Sequence, residues 1–110
     1  MCTVTYVSTN SKVIITSNRD EKVLRQKAIA PKDYLINGKK ITFPKDPKAG
    51  GTWFAVAEEG TISVLLNGAN EKHELREKYR KSRGLIVLDI ISSENPLCEW
   101  EMIDLEDIEP

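Results

Sequence analysis

A cysteine at the start of the chain is predicted to lie beside an arginine and a carboxylate. Cys2 opens a strand-like segment at residues 2–7, and Arg19 and Asp20 follow a second such segment at residues 12–17. If the two segments pair as a hairpin, the beginning of the first strand lies next to the end of the second. Charged groups at the edge of a core need partners, because leaving them unpaired is costly. A thiol with these neighbours is suited to nucleophilic chemistry.

The same residues also have a structural interpretation. Cys2 fits a small apolar residue that begins a strand. Arg19 and Asp20 fit a structural ion pair that ties the strand end to the following loop, with Glu21 and Arg25 as a further pair. Residue types alone leave both interpretations open.

Composition limits the classes of protein to which this chain can belong. It has 110 residues, 40% hydrophobic and 30% charged, so we expect one globular domain at most. Sixteen basic and seventeen acidic residues give a net charge of -1, which offers no support for binding to nucleic acid or to a membrane surface. The apolar run at residues 85–88 is too short to cross a bilayer, and no secretory signal is visible. We therefore expect no membrane span and a cytoplasmic location.

Residues that could bind a metal are few. The two cysteines, Cys2 and Cys98, are far apart in sequence, and the single histidine, His73, has no other ligand types arranged around it. We expect neither a metal nor a cofactor, and we expect Cys98 to be buried and inert.

Two short strands must position Cys2 and Arg19. Residues 2–7 and 12–17 are rich in threonine, valine and isoleucine, and a polar turn joins them. Because residues 13–15 are all apolar, the second strand is predicted to be covered on both faces, as in a central sheet.

The middle of the chain contains one predicted loop and one predicted hairpin. Residues 21–40 are mostly polar and are predicted to form a long loop before a short strand at residues 40–43, which Pro44 ends. Apolar residues alternate in segments 53–58 and 61–66, which predicts a hairpin.

The last third is predicted to be a solvated loop followed by helices. Residues 69–82 are highly charged, which favours a loop. Residues 85–91 suit a strand or a helix, and Ser82 as a possible N-cap favours a helix from about residue 83 to 92. A second short helix is predicted at residues 96–104.

Three short motifs carry a resemblance to a known family. Met1-Cys2, Asn18-Arg19-Asp20-Glu21 and Gly50-Gly51-Thr52-Trp53 together resemble the NRDE family, also known as Transport and Golgi organisation 2 homologues. The likeness continues through Leu66-Asn67-Gly68 and Arg83-Gly84. Family members are typically longer, so residues 1–110 are expected to be the N-terminal portion of a truncated domain.

The NRDE family in turn resembles N-terminal nucleophile hydrolases, especially the cysteine branch with bile-salt hydrolases and penicillin V acylases. That resemblance implies an α+β fold, a partial αββα sandwich of antiparallel strands with one or two helices packed on the sheet. It also implies a mechanism. Removal of Met1 would expose the Cys2 amine, whose pKa of roughly 8 suits a base at neutral pH. The thiolate would then attack an amide carbonyl to form an acyl-enzyme.

The resemblance also assigns roles to the neighbours of Cys2. Arg19 would lower the thiol pKa from about 8.5, and Asp20 would hold the amine. Asn67 is a candidate oxyanion donor, with a backbone amide beside it.

Two hypotheses of different classes follow. The first is a cysteine-nucleophile hydrolase of a small linear or cyclic amide. The second is a non-catalytic binding or trafficking protein that handles a lipid-like or haem-like ligand. In both cases the expected partner is a small molecule, and unpaired strand edges also predict a homo-oligomer.

Overall fold

The computed structural model describes residues 2–20, 23–67 and 76–109. Expectations that concern Met1, Glu21, Gly68 and residues 69–75 with His73 lie outside these described residues. The elements within them are β1 (Thr3–Ser8), β2 (Val13–Asn18), β3 (Ile29–Ile36), β4 (Lys39–Lys45), β5 (Phe54–Ala57), β6 (Ile62–Val64), α1 (Arg83–Ser92) and α2 (Pro96–Met102).

The fold is α+β, as predicted. All strand pairs are antiparallel and form two sheets, one of β1 and β2 and one in the order β3-β4-β5-β6. Helix α1 packs against β5 and β6, and α2 packs against α1. This arrangement of sheets and helices is consistent with a sandwich-like fold.

The first hairpin agrees with its prediction to within one residue. Thr3 pairs with Asn18 and Ser8 with Val13, and the turn is closed by the Thr9 N–H, which donates to the Lys12 carbonyl at 2.8 Å. The expected coverage of β2 on both faces is wrong, because Val13 is 56% and Ile14 is 53% exposed. An apolar run is compatible with burial on both faces, but it does not show that a second layer of the fold packs against the strand.

The loop predicted at residues 21–40 is wrong over its second half, which contains the longest strand, β3. β3 and β4 form a hairpin around Asn37 and Gly38, whose φ angles of 51° and 78° are the left-handed values that such a turn requires. Proline concealed β3 and led to β4 being predicted too short. Pro31 lies at a register shift in the edge strand β3, where a missing N–H is tolerated.

Pro44 does not end its strand, because β4 continues to Lys45. β5 pairs with β4 at Ile41 and Thr42, so Pro44 lies beyond that ladder and breaks none of its hydrogen bonds. The second predicted hairpin, β5 and β6, is confirmed.

The hydrophobic core lies between the four-stranded sheet and α1. Its buried members are Ile41, Phe43, Ala55, Ala57, Val87, Leu88 and Ile91. The helical interpretation of residues 85–91 is confirmed, because the helix faces the sheet with residues 87, 88 and 91. Both predicted helices are present, but Cys98 in α2 is exposed, so its expected burial is wrong.

Helix capping differs between the two helices. The Asn95 side chain accepts the Cys98 N–H at 3.2 Å, whereas the Ser82 side chain makes no capping hydrogen bond to α1. Within the described ranges, no helix is long and apolar enough to cross a membrane.

Candidate active site

The start of β1 and the end of β2 meet, as their pairing requires. Because Thr3 pairs with Asn18, continuing the register by one residue sets Cys2 next to Arg19. The Cys2 Sγ lies 4.0 Å from the backbone carbonyl oxygen of Asp20, and Cys2 is half-buried. The hairpin therefore brings the predicted nucleophile to the charged segment that follows β2.

A cavity of about 890 Å³ opens at this corner. Its lining includes all the site residues that the sequence predicted, Cys2, Arg19, Asp20 and Asn67. Cys2 directly precedes β1, Arg19 and Asp20 directly follow β2, and Asn67 lies in the segment after β6. The charged residues around them are Arg25, Asp46, Lys48, Arg83 and Glu109.

Arg19 is held from two sides. Its Nη2 donates to the Asp46 Oδ2 at 2.7 Å, and its guanidinium carbon lies 4.2 Å from the centroid of the Trp53 ring. Its side chain is only 16% exposed, so solvent weakens these contacts little. Arg19 therefore takes part in an ion pair with Asp46, a partner that the structural interpretation did not name, and also lies in the wall of the cavity that contains Cys2.

Asp46 is a buried residue of the site that sequence reasoning missed. Its Oδ2 accepts from Arg19 and from Arg25, each at 2.7 Å, and its Oδ1 accepts the backbone N–H groups of Lys48 at 2.9 Å and Ala49 at 3.0 Å. The sequence signal was Asp46-Pro47, a pair typical of turns, which predicts the bonds to the backbone but not those to the arginines.

These contacts keep Asp46 ionised. Burial of the carboxyl raises its pKa, but hydrogen bonds from the Ala49 N–H, the Arg25 guanidinium and the Lys48 N–H outweigh burial and lower the pKa from 3.8 to about 2. The site thus contains a carboxylate that is ionised at neutral pH and well below it.

Two glycines join the loop before β5 to the start of α1. A Cβ added at Gly51 would lie 2.3 Å from the Gly84 carbonyl carbon, and one added at Gly84 would lie 2.9 Å from the Thr52 nitrogen. The Thr52 N–H donates to the Gly84 carbonyl at 3.1 Å across this contact. Gly51 is therefore needed for a close backbone approach, whereas Gly50 is needed for its φ of 76°.

Two further polar groups line the cavity. Asn67 is exposed and lies just beyond the Leu65 N–H, which donates to the Trp53 carbonyl at 2.9 Å. The Ser82 Oγ is buried and has no hydrogen-bond partner in the described part of the chain. No cluster of three or more potential metal ligands occurs among residues 2–20, 23–67 and 76–109.

A second cavity, of about 1000 Å³, lies between β6, α1 and α2. Its lining is mostly apolar and includes Ile62, Val64, Ile86, Leu97 and Trp100. Leu65, Arg83 and Glu109 line both cavities, so the two adjoin.

A sequence model of the family described as Transport and Golgi organisation 2 matches residues 1–105. The chain belongs to the Transport and Golgi organisation 2 family. No curated protein and no solved structure matches it in the corresponding searches. The matched range includes the Cys2 cavity with the exception of Glu109. In this member of the Transport and Golgi organisation 2 family, the motifs predicted from sequence meet in space: Asp46 links the Arg19 motif to the loop that contains Gly51, and Gly51 contacts Gly84.

Proposed function

We propose that the chain is a cysteine-nucleophile hydrolase of a small amide, related to the N-terminal nucleophile hydrolases, with its active site in the Cys2 cavity. The observation that carries the proposal is that Cys2, Arg19 and Asp20, from the first hairpin, and Asn67, from a distant part of the sequence, line one cavity. The β1–β2 hairpin brings Cys2 next to Arg19 and Asp20, and Asn67 joins them from the segment after β6.

The proposed reaction begins after removal of Met1. The free amine of Cys2, with a pKa of roughly 8, takes the thiol proton. The thiolate attacks the amide carbonyl, a carbon–sulfur bond forms, and the carbon–nitrogen bond breaks as the ammonium returns the proton to the leaving amine. Water then attacks the thioester, releasing the carboxylic acid and regenerating the thiol.

Three neighbours support these steps. The Arg19 guanidinium, held by Asp46 and Trp53, favours the thiolate. Asp20 holds the amine by a charge-assisted hydrogen bond, and Asn67 donates to the oxyanion. A cytoplasmic location suits this proposal, because a catalytic thiol stays reduced there.

The test combines intact mass, thiol labelling and hydrolysis. It uses a Cys98→Ser background, because Cys98 is exposed and would also react. We expect the loss of Met1, fast pH-dependent alkylation of Cys2 that slows in Arg19→Ala, and turnover of at least one member of a panel of linear and cyclic N-acyl amides. Cys2→Ala should abolish turnover. Retention of Met1 with slow alkylation would overturn the proposal.

The apolar cavity favours a second candidate function, binding of a lipid-like or haem-like ligand without covalent chemistry. Its volume of about 1000 Å³ and its apolar lining support such a ligand. The probes are a fluorescent fatty-acid analogue and haemin. Ile62→Glu, inside the cavity, should weaken binding at least tenfold, whereas Leu35→Glu, at an exposed apolar position on β3 outside the cavity, should not.

Self-association belongs to the same proposal. Leu97 is 77% and Trp100 60% exposed beside the apolar cavity, and apolar surface of this kind favours a homo-oligomer. Sedimentation at increasing concentration tests it, with dissociation expected in Trp100→Ser.

A further inference from the structure

The two oxygens of the Asp46 carboxylate have different partners. Oδ1 accepts the backbone N–H groups of Lys48 and Ala49, at 2.9 and 3.0 Å. Oδ2 accepts one guanidinium N–H from Arg19 and one from Arg25, both at 2.7 Å. Oδ1 therefore closes a turn of the main chain, and Oδ2 holds two cations. A substitution that changes one oxygen and keeps the other can separate the two roles.

The backbone of Asp46 makes the turn rigid. Its N–H donates to the Gly51 carbonyl at 2.9 Å, and its carbonyl accepts the Gly50 N–H at 2.8 Å. With the Oδ1 bonds, the turn is closed by hydrogen bonds from both the main chain and the side chain of one residue. Oδ2 is therefore fixed in space relative to the four-stranded sheet, because Asp46 directly follows β4.

The bond from Asp46 to Arg19 connects the two sheets. Arg19 follows β2, in the two-stranded sheet, and Asp46 follows β4, in the four-stranded sheet. The two side chains are 16% and 8% exposed, so their charge-assisted hydrogen bond is shielded from water and keeps its geometry. Trp53 lies against the other side of the guanidinium.

We propose that Asp46 is a positioning residue for the Cys2 chemistry, because it holds the Arg19 guanidinium at the wall of the cavity that contains the thiol. The inference rests on the proposed function, since it assigns Asp46 a role only through Arg19. Asp46 does not touch the reacting atoms. Its second partner, Arg25, adds a positive charge to the same wall.

The direction in which the pH profile of Cys2 alkylation shifts when Asp46 is removed separates a positioning role from a simple charge effect. If Asp46 acted only as a nearby negative charge, its removal would favour the thiolate, and alkylation of Cys2 would shift to lower pH. If Asp46 holds Arg19 in place, its removal frees the guanidinium from the wall, and alkylation would shift to higher pH. A purely structural role in the turn predicts neither shift once the fold is intact.

The experiment measures the rate of Cys2 alkylation by iodoacetamide between about pH 5 and pH 10, a range that spans the reference pKa of cysteine in model peptides. Asp46→Asn in the Cys98→Ser background keeps an oxygen acceptor for the Lys48 and Ala49 N–H groups but replaces the acceptor of the arginines. Asp33→Asn is the matched control, since Asp33 is exposed and its Oδ1 accepts from Thr42 on β4. Circular dichroism and the unfolding midpoint establish that each variant is folded.

We expect Asp46→Asn to shift the pH profile of Cys2 alkylation upward by roughly half to one pH unit. This shift slows alkylation at pH 7 by about three- to tenfold. Asp33→Asn should leave the profile unchanged. If Asp46→Asn does not fold, Asp46→Ser replaces it, because a serine hydroxyl can accept from the same turn.

A shift to lower pH, or no shift in a folded variant, overturns the positioning role. Arg19→Ala distinguishes this failure from failure of the proposed function. If Arg19→Ala shifts the pH profile of alkylation to higher pH and Asp46→Asn does not, the positioning role of Asp46 is wrong. The proposal that Arg19 activates the Cys2 thiol then still holds. If neither variant changes the profile, Arg19 does not activate Cys2, and both proposals fail.

Discussion

At the scale of single residues, Asp46 makes the folded chain less stable as the pH is lowered into the acid range. Its pKa is about 2 in the folded chain and 3.8 in the reference state, so protons bind the unfolded chain more tightly. A lowered folded pKa gives stability that is complete above the unfolded value and is lost as the pH falls through the folded value. We expect the free energy of unfolding to fall by about 2 kcal/mol between roughly pH 5 and pH 2 from this group.

Urea unfolding across this pH range measures the effect. Asp46→Asn should be less stable at pH 7 and should lose less stability on acidification than the parent chain, because the amide does not titrate. Asp33→Asn, which removes an exposed carboxylate, should follow the parent curve. If the unfolding free energies of Asp46→Asn and the parent fell in parallel with pH, the lowered pKa of Asp46 would not be the source of the acid destabilisation.

The site residues differ in how visible they were in the sequence. Cys2, Arg19 and Asp20 were predictable as neighbours, because a hairpin between adjacent strands fixes which residues lie side by side. Asp46 was not, since its arginine partners lie 27 and 21 residues away and leave no local pattern. The burial of Cys98 was predicted from residue type, and the exposed position of α2 contradicts it.

At the scale of elements, the contact between Gly51 and Gly84 sets the position of α1. We expect Gly51→Ala and Gly84→Ala each to cost about 3 kcal/mol or more, because the new Cβ meets main-chain atoms that have no side-chain freedom. Gly50→Ala is the matched control. Its Cβ meets open space, and only the positive φ disfavours it, at a cost of about 1 kcal/mol.

Chemical denaturation measures the free energy of unfolding of the three variants and of the parent chain. Equal losses at positions 50 and 51 would contradict the close contact between Gly51 and Gly84 as the reason that Gly51 is needed. Because the contact also borders the Cys2 cavity, folded Gly51→Ala protein should show altered alkylation of Cys2 as well.

Elements with a regular pattern were predictable, and those disguised by proline were not. β5 and β6 alternate around a glycine turn, whereas the apolar run of α1 suited a strand equally well, and the Ser82 side chain that favoured a helix makes no capping hydrogen bond. β3 was missed because Pro31 and the charged Lys32 and Asp33 hide its alternation. An edge strand tolerates all three, but edge position is a property of the sheet and is absent from the local sequence.

At the scale of the whole molecule, the two sheets are unequally anchored. The four-stranded sheet and α1 share the hydrophobic core, which in the described part of the chain includes no side chain from β1 or β2. An isolated two-stranded sheet is marginally stable in water. The contacts of Arg19 with Asp46 and Trp53 therefore anchor the β1–β2 hairpin at the end where Cys2 lies.

This difference predicts unequal protection from hydrogen exchange. We expect amides of β1 and β2 to exchange at least tenfold faster than those of β4, β5 and α1, because the hairpin can open without exposing the core. Arg19→Ala should speed exchange in the hairpin further and leave the core amides unchanged, since it removes an anchor outside the core. Lys39→Ala, which removes an ion pair with Glu59 in the four-stranded sheet, is the control and should not affect the hairpin. Mass spectrometry of peptic peptides measures each segment. Equal protection of β1 and β4 would mean that the hairpin opens only when the whole chain unfolds, and Arg19 would then not be its anchor.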